Sequence, residues 1–342
     1  MRAFVLPGIL AASLLAQQRP DIQNARLQTQ TVQGELGPAF RTAVNAQISP
    51  GWIAYVVPAV DRHNSCCQDG QSGCVCAPEQ EGGHTTNLSN QVKLEGQAEM
   101  LVLYRAEHRQ VGRIAFFSAG CGIDAGGLPV HLLQSVSPAG SVRLLGEFAR
   151  SGGSLRDPAV AAIALHRDPS ADGMLESFVA ANQPEELRKK AVFWLGSARG
   201  RRGYEILDNL LRADSSPEVR SQAIFALSIS PDPDALKAMI RAAHDDGSAH
   251  VRGQALFWLA QKAQKKAAVD AIWNAAENDP ETDVKKQAVF ALSQMPPEKG
   301  TPLLIHLAET NRNREVRKQA MFWLGQSRDP RALQFFEQVL TK

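Results

Sequence analysis

The sequence predicts an α+β chain of two domains, a small β-rich N-terminal domain followed by an all-α solenoid. Three observations carry that expectation. Near-copies of one nonapeptide recur at Leu187–Leu195 (LRKKAVFWL), Val219–Leu227 (VRSQAIFAL), Val251–Leu259 (VRGQALFWL), Val284–Leu292 (VKKQAVFAL) and Val316–Leu324 (VRKQAMFWL). Their starts are separated by 32, 32, 33 and 32 residues, the period of stacked helical pairs. Upstream, Trp52–Val60, Met100–Arg105, Val111–Ser118 and Pro129–Leu133 are rich in aromatic and β-branched residues and are separated by Gly, Asp and Asn clusters, as strands are. Finally, all five cysteines lie within the first 121 residues, so the two parts differ in kind.

At 342 residues the chain exceeds one compact core. A net charge of +2 gives no global attraction to nucleic acid or anionic membrane, and no nucleic-acid partner and no membrane span in the mature chain are expected. Met1, Arg2 and the apolar run Ala3–Ala16 form an expected signal peptide over residues 1–16. The run is shorter than the ~20 residues a membrane span needs, no other stretch is apolar enough to cross, and small residues occupy Ala11, Ala12, Ser13 and Ala16. The expected address is therefore periplasmic or secreted. Residues 17–32 are Gln-rich and weakly patterned. A cysteine-containing antiparallel β-domain is expected over 23–136, with Tyr104–Val111 as a hairpin connection. Its long insertion, Asp61–Asn90, has too little apolar surface to order itself, so cross-links or a metal are expected to hold it.

Helical patterning begins near Pro138. Val142–Arg150 and Asp157–Leu165, joined through Ser-Gly-Gly, are expected to form a degenerate first helical repeat over 138–182. The solenoid proper is expected over 183–342, each pair coupling a helix such as Ala235–Ala243 or Thr301–Ala308 to a nonapeptide helix. Pro330–Leu340 is expected to cap the last apolar face.

On a helical wheel, nonapeptide positions 1, 5, 8 and 9 fall in one wide apolar stripe. Position 5 is Ala in all five copies, and position 8 alternates Trp194, Ala226, Trp258, Ala291, Trp323, so large and small residues are expected to interdigitate between repeats. Position 7 is always Phe: Phe193, Phe225, Phe257, Phe290 and Phe322. It lies roughly opposite the stripe, beside position 4 (Lys190, Gln222, Gln254, Gln287, Gln319), and two readings stand. Either these residues form a concave aromatic ladder that binds a protein or peptide, or each Phe packs between adjacent second helices. Position 2 is always basic. A structural pair with the acidic turn just before it (Glu218, Asp283, Glu315) is expected, against a basic ladder for nucleic acid.

The Val-Arg…Ala…Leu-Gly pattern with a following Asp-Pro (Val316, Arg317, Ala320, Leu324, Gly325, Asp329, Pro330) resembles HEAT repeats of the short bacterial, phycobilin-lyase-like subtype. The resemblance runs from Leu187 to Lys342 and implies an α-solenoid and a scaffold or protein-binding role. The whole chain is also similar to exported bacterial HEAT-repeat proteins with an uncharacterised N-terminal part, through Trp52 and Tyr55, Cys66 and Cys67, and the Cys121–Gly127 segment; that similarity brings no activity. Deoxyhypusine hydroxylase, a HEAT-like enzyme, holds iron with His-Glu pairs, yet none of the eight histidines here is followed by Glu. A bilin-lyase role fits poorly with an exported chain.

Cys66, Cys67, Cys74, Cys76 and Cys121 are candidates for disulfides or, with His63 and His84, for a thiolate–imidazole metal site. Five is an odd number, so at least one thiol stays unpaired within the chain. Cys121 with His131 as base is a conceivable nucleophile pair, against a Gly-rich turn in which Asp124 bonds its own backbone. No P-loop, dinucleotide fingerprint, nucleophile elbow or HExxH is present. The expectation is a non-enzymatic exported scaffold for a cell-envelope protein or peptide, with no catalytic residue, cofactor or metal assigned. The alternative is a metal-binding or thiol-dependent enzyme centred on the cysteine loop, with the solenoid as docking arm.

Overall fold

The computed structural model describes residues 20–60, 75–78, 84–85 and 98–341. The expected signal segment and Cys66, Cys67 and Cys74 lie outside them. Two compact units meet in sequence at Ser137 and Pro138.

The first unit holds two sheets and a helix, α1 (Leu36–Ala46). In chain order the strands are β1 (Asp21–Gln23), β2 (Arg26–Thr31), β3 (Gly51–Pro58), β4 (Val75–Cys76), β5 (His84–Thr85), β6 (Glu99–Glu107), β7 (Gln110–Ser118), β8 (Gly122–Asp124) and β9 (Pro129–Gln134). One sheet runs β2-β9-β3-β6-β7 and the other β1-β8-β4-β5. β6 and β7 join through His108 and Arg109, both at positive φ (51° and 63°), the two-residue turn that matches strand twist.

Alternation along β3, β6 and β9 splits the larger sheet into two apolar faces. Trp52, Ala54, Leu101, Leu103, Val130 and Leu132 pack with Cys76, Cys121 and Ile123 of the smaller sheet region. On the other face, Phe40 of α1 meets the Tyr104 ring edge-on at 4.6 Å, and the buried Tyr55 and Tyr104 hydroxyls are 2.6 Å apart.

The expectation of an antiparallel domain needs correction. β9 runs parallel to both β2 and β3, and β8 parallel to β1 and β4. Residues 17–32, weakly patterned in sequence, contain β1 and β2, whose side chains are mostly exposed and so show no alternation to read.

The second unit is helical: α2 (Pro138–Ser151), α3 (Arg156–Leu165), α4 (Ser170–Val179), α5 (Glu185–Ala198), α6 (Gly200–Ala213), α7 (Pro217–Ile229), α8 (Ala235–Asp245), α9 (Ala249–Ala260), α10 (Lys266–Asn278), α11 (Thr282–Ser293), α12 (Pro297–Thr310), α13 (Arg314–Gln326) and α14 (Pro330–Leu340). The nonapeptides lie on α5, α7, α9, α11 and α13. These pack side by side more closely than the alternating helices α4, α6, α8 and α10 do, which makes the nonapeptide layer the inner one. Within 138–182 the chain forms three helices rather than one pair. α4 packs on α5, so the pair carrying the first nonapeptide begins at Ser170, ahead of the expected start at 183.

Positions 1, 5 and 9 are buried in every copy. The Ala at position 5 lets neighbouring helices close up. The approach is close at Gly196, where an added Cβ would stand 2.3 Å from the carbonyl oxygen of Ala226 on the next inner helix.

Candidate functional site

The five Phe residues and three Trp residues of the inner layer form one ring-to-ring series. Phe193 meets Trp194 edge-on at 5.3 Å and stacks on Phe225 at 6.1 Å, and Phe225 reaches Trp258 at 4.9 Å. The series repeats one period further on. Phe257 meets Trp258 at 5.0 Å and stacks on Phe290 at 6.2 Å, Phe290 reaches Trp323 at 5.1 Å, and Trp323 meets Phe322 at 5.0 Å. Where a repeat carries Trp, its Phe stacks on the next Phe; where it carries Ala, its Phe meets the next Trp.

The position-8 alternation therefore has a different setting from the expected one. Ala226 and Ala291 are fully buried in the apolar stripe, whereas Trp194, Trp258 and Trp323 are half-buried and swing out to join the Phe rings. Phe193, Phe225, Phe257 and Phe290 are likewise half-buried, each touching a neighbouring helix while keeping part of its ring in solvent. Phe322 is exposed.

Beside the rings, Gln222, Gln254 and Gln319 are partly exposed and Gln287 is exposed. Lys190 is bound to Asp157 at 2.6 Å. Gln287 lies over Gly253, where a Cβ would come within 1.8 Å of its Oε1.

The basic residue at position 2 pairs with a different partner from the one expected. Its ion pair is with the turn that opens the next inner helix, while Nη1 of Arg220 and Arg252 bonds a carbonyl of the turn before its own helix. Arg188 pairs with Asp214, Arg220 with Asp246 (Nε to Oδ2 2.8 Å) and Arg252 with Asp279 (Nε to Oδ2 2.8 Å, Nη2 to Oδ1 3.0 Å). The same carboxylates close the turn that leads into the following helix, since Oδ1 of Asp214, Asp246 and Asp279 accepts from the N–H of Ser216, Ser248 and Glu281, two residues on. Burial pushes the Asp246 carboxyl up, but the bonds from Arg220 and from Ser248 N–H more than offset this and hold it below the usual carboxylate range. The hydrogen bonds that Arg252 donates to Asp279 in turn raise the guanidinium's pKa.

In the fourth interval the pair is replaced. Lys285 bonds the carbonyl of Glu277, and Asn311 stands where the Asp would be. The acidic residues expected as partners serve locally: Glu218 takes Ser216 Oγ, and Asp283 and Glu315 pair with Lys286 and Lys318.

In the first unit, Cys76 and Cys121 are buried in the same apolar cluster, and burial pushes the Cys76 thiol up. The pairing of Cys121 with His131 is not formed: His131 alternates with Val130 and Leu132, which face that cluster, so its ring lies on the opposite face of β9. Asp124 Oδ1 accepts from Gly126 N–H at 2.9 Å and from Asn24 Nδ2 at 3.0 Å. Among the described residues no three His, Cys, Asp or Glu side chains are grouped to hold a metal. None of the helices among those residues is long and apolar enough to cross a membrane.

One polar cluster escaped the sequence reading. His166, fully buried, contacts Ser141 Oγ through Nε2 at 2.8 Å and the Ala162 carbonyl through Nδ1 at 2.7 Å, while Arg199 binds the His166 carbonyl at 2.5 Å and Asp172 at 2.6 Å. His166 lies outside the repeated nonapeptide, so no periodicity marked it.

A family model described as HEAT repeats matches residues 171–260 and 269–342. Among solved structures, human deoxyhypusine hydroxylase in complex with glycerol is similar at 19% identity over 60% of this chain and 82% of that one, with a TM-score of 0.30. The complex of CpcE and CpcF of phycocyanin lyase from Nostoc sp. is similar at 22% identity over 47% of this chain and all of that one, with a TM-score of 0.36. No curated protein matches the chain in sequence. The matched family model and the register of paired helices lead to one conclusion: through residues 171–342, the chain belongs to the HEAT-repeat family.

Proposed function

We propose that this protein is a non-enzymatic exported scaffold that binds a protein or peptide of the cell envelope along its inner layer of helices. The carrying observation is the half-exposed aromatic series from Trp194 to Phe322, bordered by Gln222, Gln254, Gln287 and Gln319. Rings fixed by their neighbours lose little entropy when a partner covers them, and amides can bond to any backbone. Export rests on the N-terminal sequence, and disulfides in the cysteine loop would follow from it.

The test is co-purification from solubilised cell envelope with the mature protein as bait. Two variants run beside it: Gln222→Glu with Gln254→Glu and Gln319→Glu, which leaves the rings untouched, and Phe257→Ala with Phe290→Ala. A partner kept by the parent and lost by the Gln variant, with an unchanged melting curve, supports the reading. Equal retention by all three ends it. Export is checked by locating the protein and sequencing its N-terminus, which should begin near Gln17.

A further inference from the structure

Between the outer helices α8 and α10 lies a cavity of about 270 Å³. Ala243 and Ala275 are buried at its base, and Ile240 and Ala271 form half-buried walls. Its rim is polar, with Asn274, Asn278 and His244 exposed there.

The repeat explains why space is left in this interval. Asp214, Asp246, Asp279 and Asn311 are the C-caps of α6, α8, α10 and α12, so equivalent positions are found by counting back from them. Six residues back stand Asp208, Ile240 and Trp273; five residues back stand Arg241, Asn274 and His306. Across the interval from α6 to α8, Asp208 is ion-paired with Arg241. Across the interval from α10 to α12, the Trp273 ring meets the His306 ring at 5.4 Å. From α8 to α10 the same two places hold Ile240 and Asn274, and an aliphatic side chain offers an amide neither a charge nor a ring. Asn274 instead accepts from Asn278 Nδ2 of its own helix at 2.7 Å, and the groove stays open.

Size and polarity say what fits. An apolar cavity of about 150 Å³ holds a benzene ring, so this larger one admits a two-ring system. The next interval shows such a ring in place: Trp273, standing where Ile240 stands here, lays its indole against the following outer helix. The amides select further. With Asn274 Oδ1 engaged by Asn278, Asn274 Nδ2 and Asn278 Oδ1 offer a donor and an acceptor one helical turn apart, the two groups that a peptide backbone pairs with. Asp279 also borders the cavity, but Arg252 holds its carboxylate, so a cation meets no unpaired charge there.

We propose that this cavity is a subsite for a tryptophan side chain presented by a backbone segment of a partner protein. The indole lies over Ala243 and Ala275, and the amides of Asn274 and Asn278 bond the peptide groups that flank it. Buried tryptophan is among the commonest anchors of protein interfaces. No residue of the cavity belongs to the inner-layer rings and amides invoked above, so either reading can fail without the other.

The probe is acetyl-Gly-Trp-Gly-amide carrying fluorotryptophan, titrated with the full protein and read by fluorine NMR. Its signal should shift saturably, with a Kd on the order of a millimolar or below. Two variants borrow the closures of the neighbouring intervals: Ile240→Trp copies Trp273, and Ile240→Asp with Asn274→Arg copies the Asp208 and Arg241 pair. Each should melt no lower than the parent and weaken the peptide roughly tenfold or more. The second closes the groove by charge rather than bulk, so it carries the test if the first unfolds. Asn278→Ala keeps the space and removes one amide; it should weaken the peptide severalfold and leave the binding of free fluoroindole unchanged. Absence of a saturable shift, or equal affinity for the parent and the closed variants, overturns the proposal. So does free fluoroindole binding as tightly as the peptide, since the occupant would then be a small molecule.

Discussion

Arg252 and Asp279 lie on successive repeats and meet as a two-bonded pair at 2.8 and 3.0 Å, both buried, while the same Asp279 accepts from Glu281 N–H at 2.9 Å. One carboxylate thus joins two repeats and closes the turn that leads into α11. It also fixes their register, because a shift of either helix breaks both bonds. Asp279→Ala leaves a buried guanidinium unpaired and opens the turn before α11, and should lower stability by about 3–5 kcal/mol. Asp279→Asn keeps the bond to Glu281 N–H and should lose less. Denaturant unfolding of the two variants checks the order; equal losses would mean that the ion pair, not the bond to Glu281 N–H, dominates.

Gly196 lies against the backbone of the next inner helix. A methyl group there would meet the Ala226 carbonyl oxygen at 2.3 Å, and backbone cannot swing away as a side chain can. Gly196→Ala should therefore destabilise by about 1–3 kcal/mol, although alanine favours helix by up to about 1 kcal/mol over glycine. Gly325→Ala meets open space and should stabilise slightly. Opposite signs in thermal melts at two equivalent positions would locate the effect in helix packing rather than propensity.

The aromatic series makes a coupling measurable. Phe225 and Trp258 belong to different repeats, with ring centres 4.9 Å apart. A double-mutant cycle with Phe225→Leu and Trp258→Leu should return a coupling of about 0.5–1.5 kcal/mol. The same cycle on Phe193 and Trp258, which are not neighbours in the series, should return close to zero.

The repeat was legible because helix stacking imposes the same burial on the same position each time: Ala at position 5 and Leu at position 9 needed only the spacing. The wheel misplaced Trp258 because it counts angles within one helix, and the room for that ring is made by Phe225 on another. The partner of Arg252 was missed for the same reason, since Asp279 is 27 residues away. In the first unit α1 was not singled out from sequence: Leu36, Phe40, Ala43 and Val44 are its buried residues at helical spacing, but Gly37 and Pro38 interrupt the helical pattern. The parallel pairing of β9 between β2 and β3 joins segments about a hundred residues apart, and no local pattern specifies that.

His166 gives the acid limit of the helical unit. Burial lowers its pKa from 6.5 to about 4; the Ala162 carbonyl and Asp168 oppose that shift and Arg199 adds to it. In the unfolded chain the ring takes a proton near pH 6.5, while in the folded protein it stays neutral to about pH 4. The stability it contributes is thus fully present above pH 6.5 and is lost as pH falls toward 4, by about 3 kcal/mol at the lower end. Asp246 acts in a lower window: its folded pKa is depressed below 3.8, so its contribution is present above that value and disappears only in stronger acid. The two are separable by denaturant unfolding from pH 7 down to pH 4. The parent should weaken steadily across that range, and His166→Asn, less stable at pH 7, should show a flatter profile. An equally steep profile in the variant would assign the acid sensitivity to carboxylates rather than to the buried imidazole beside Ser141.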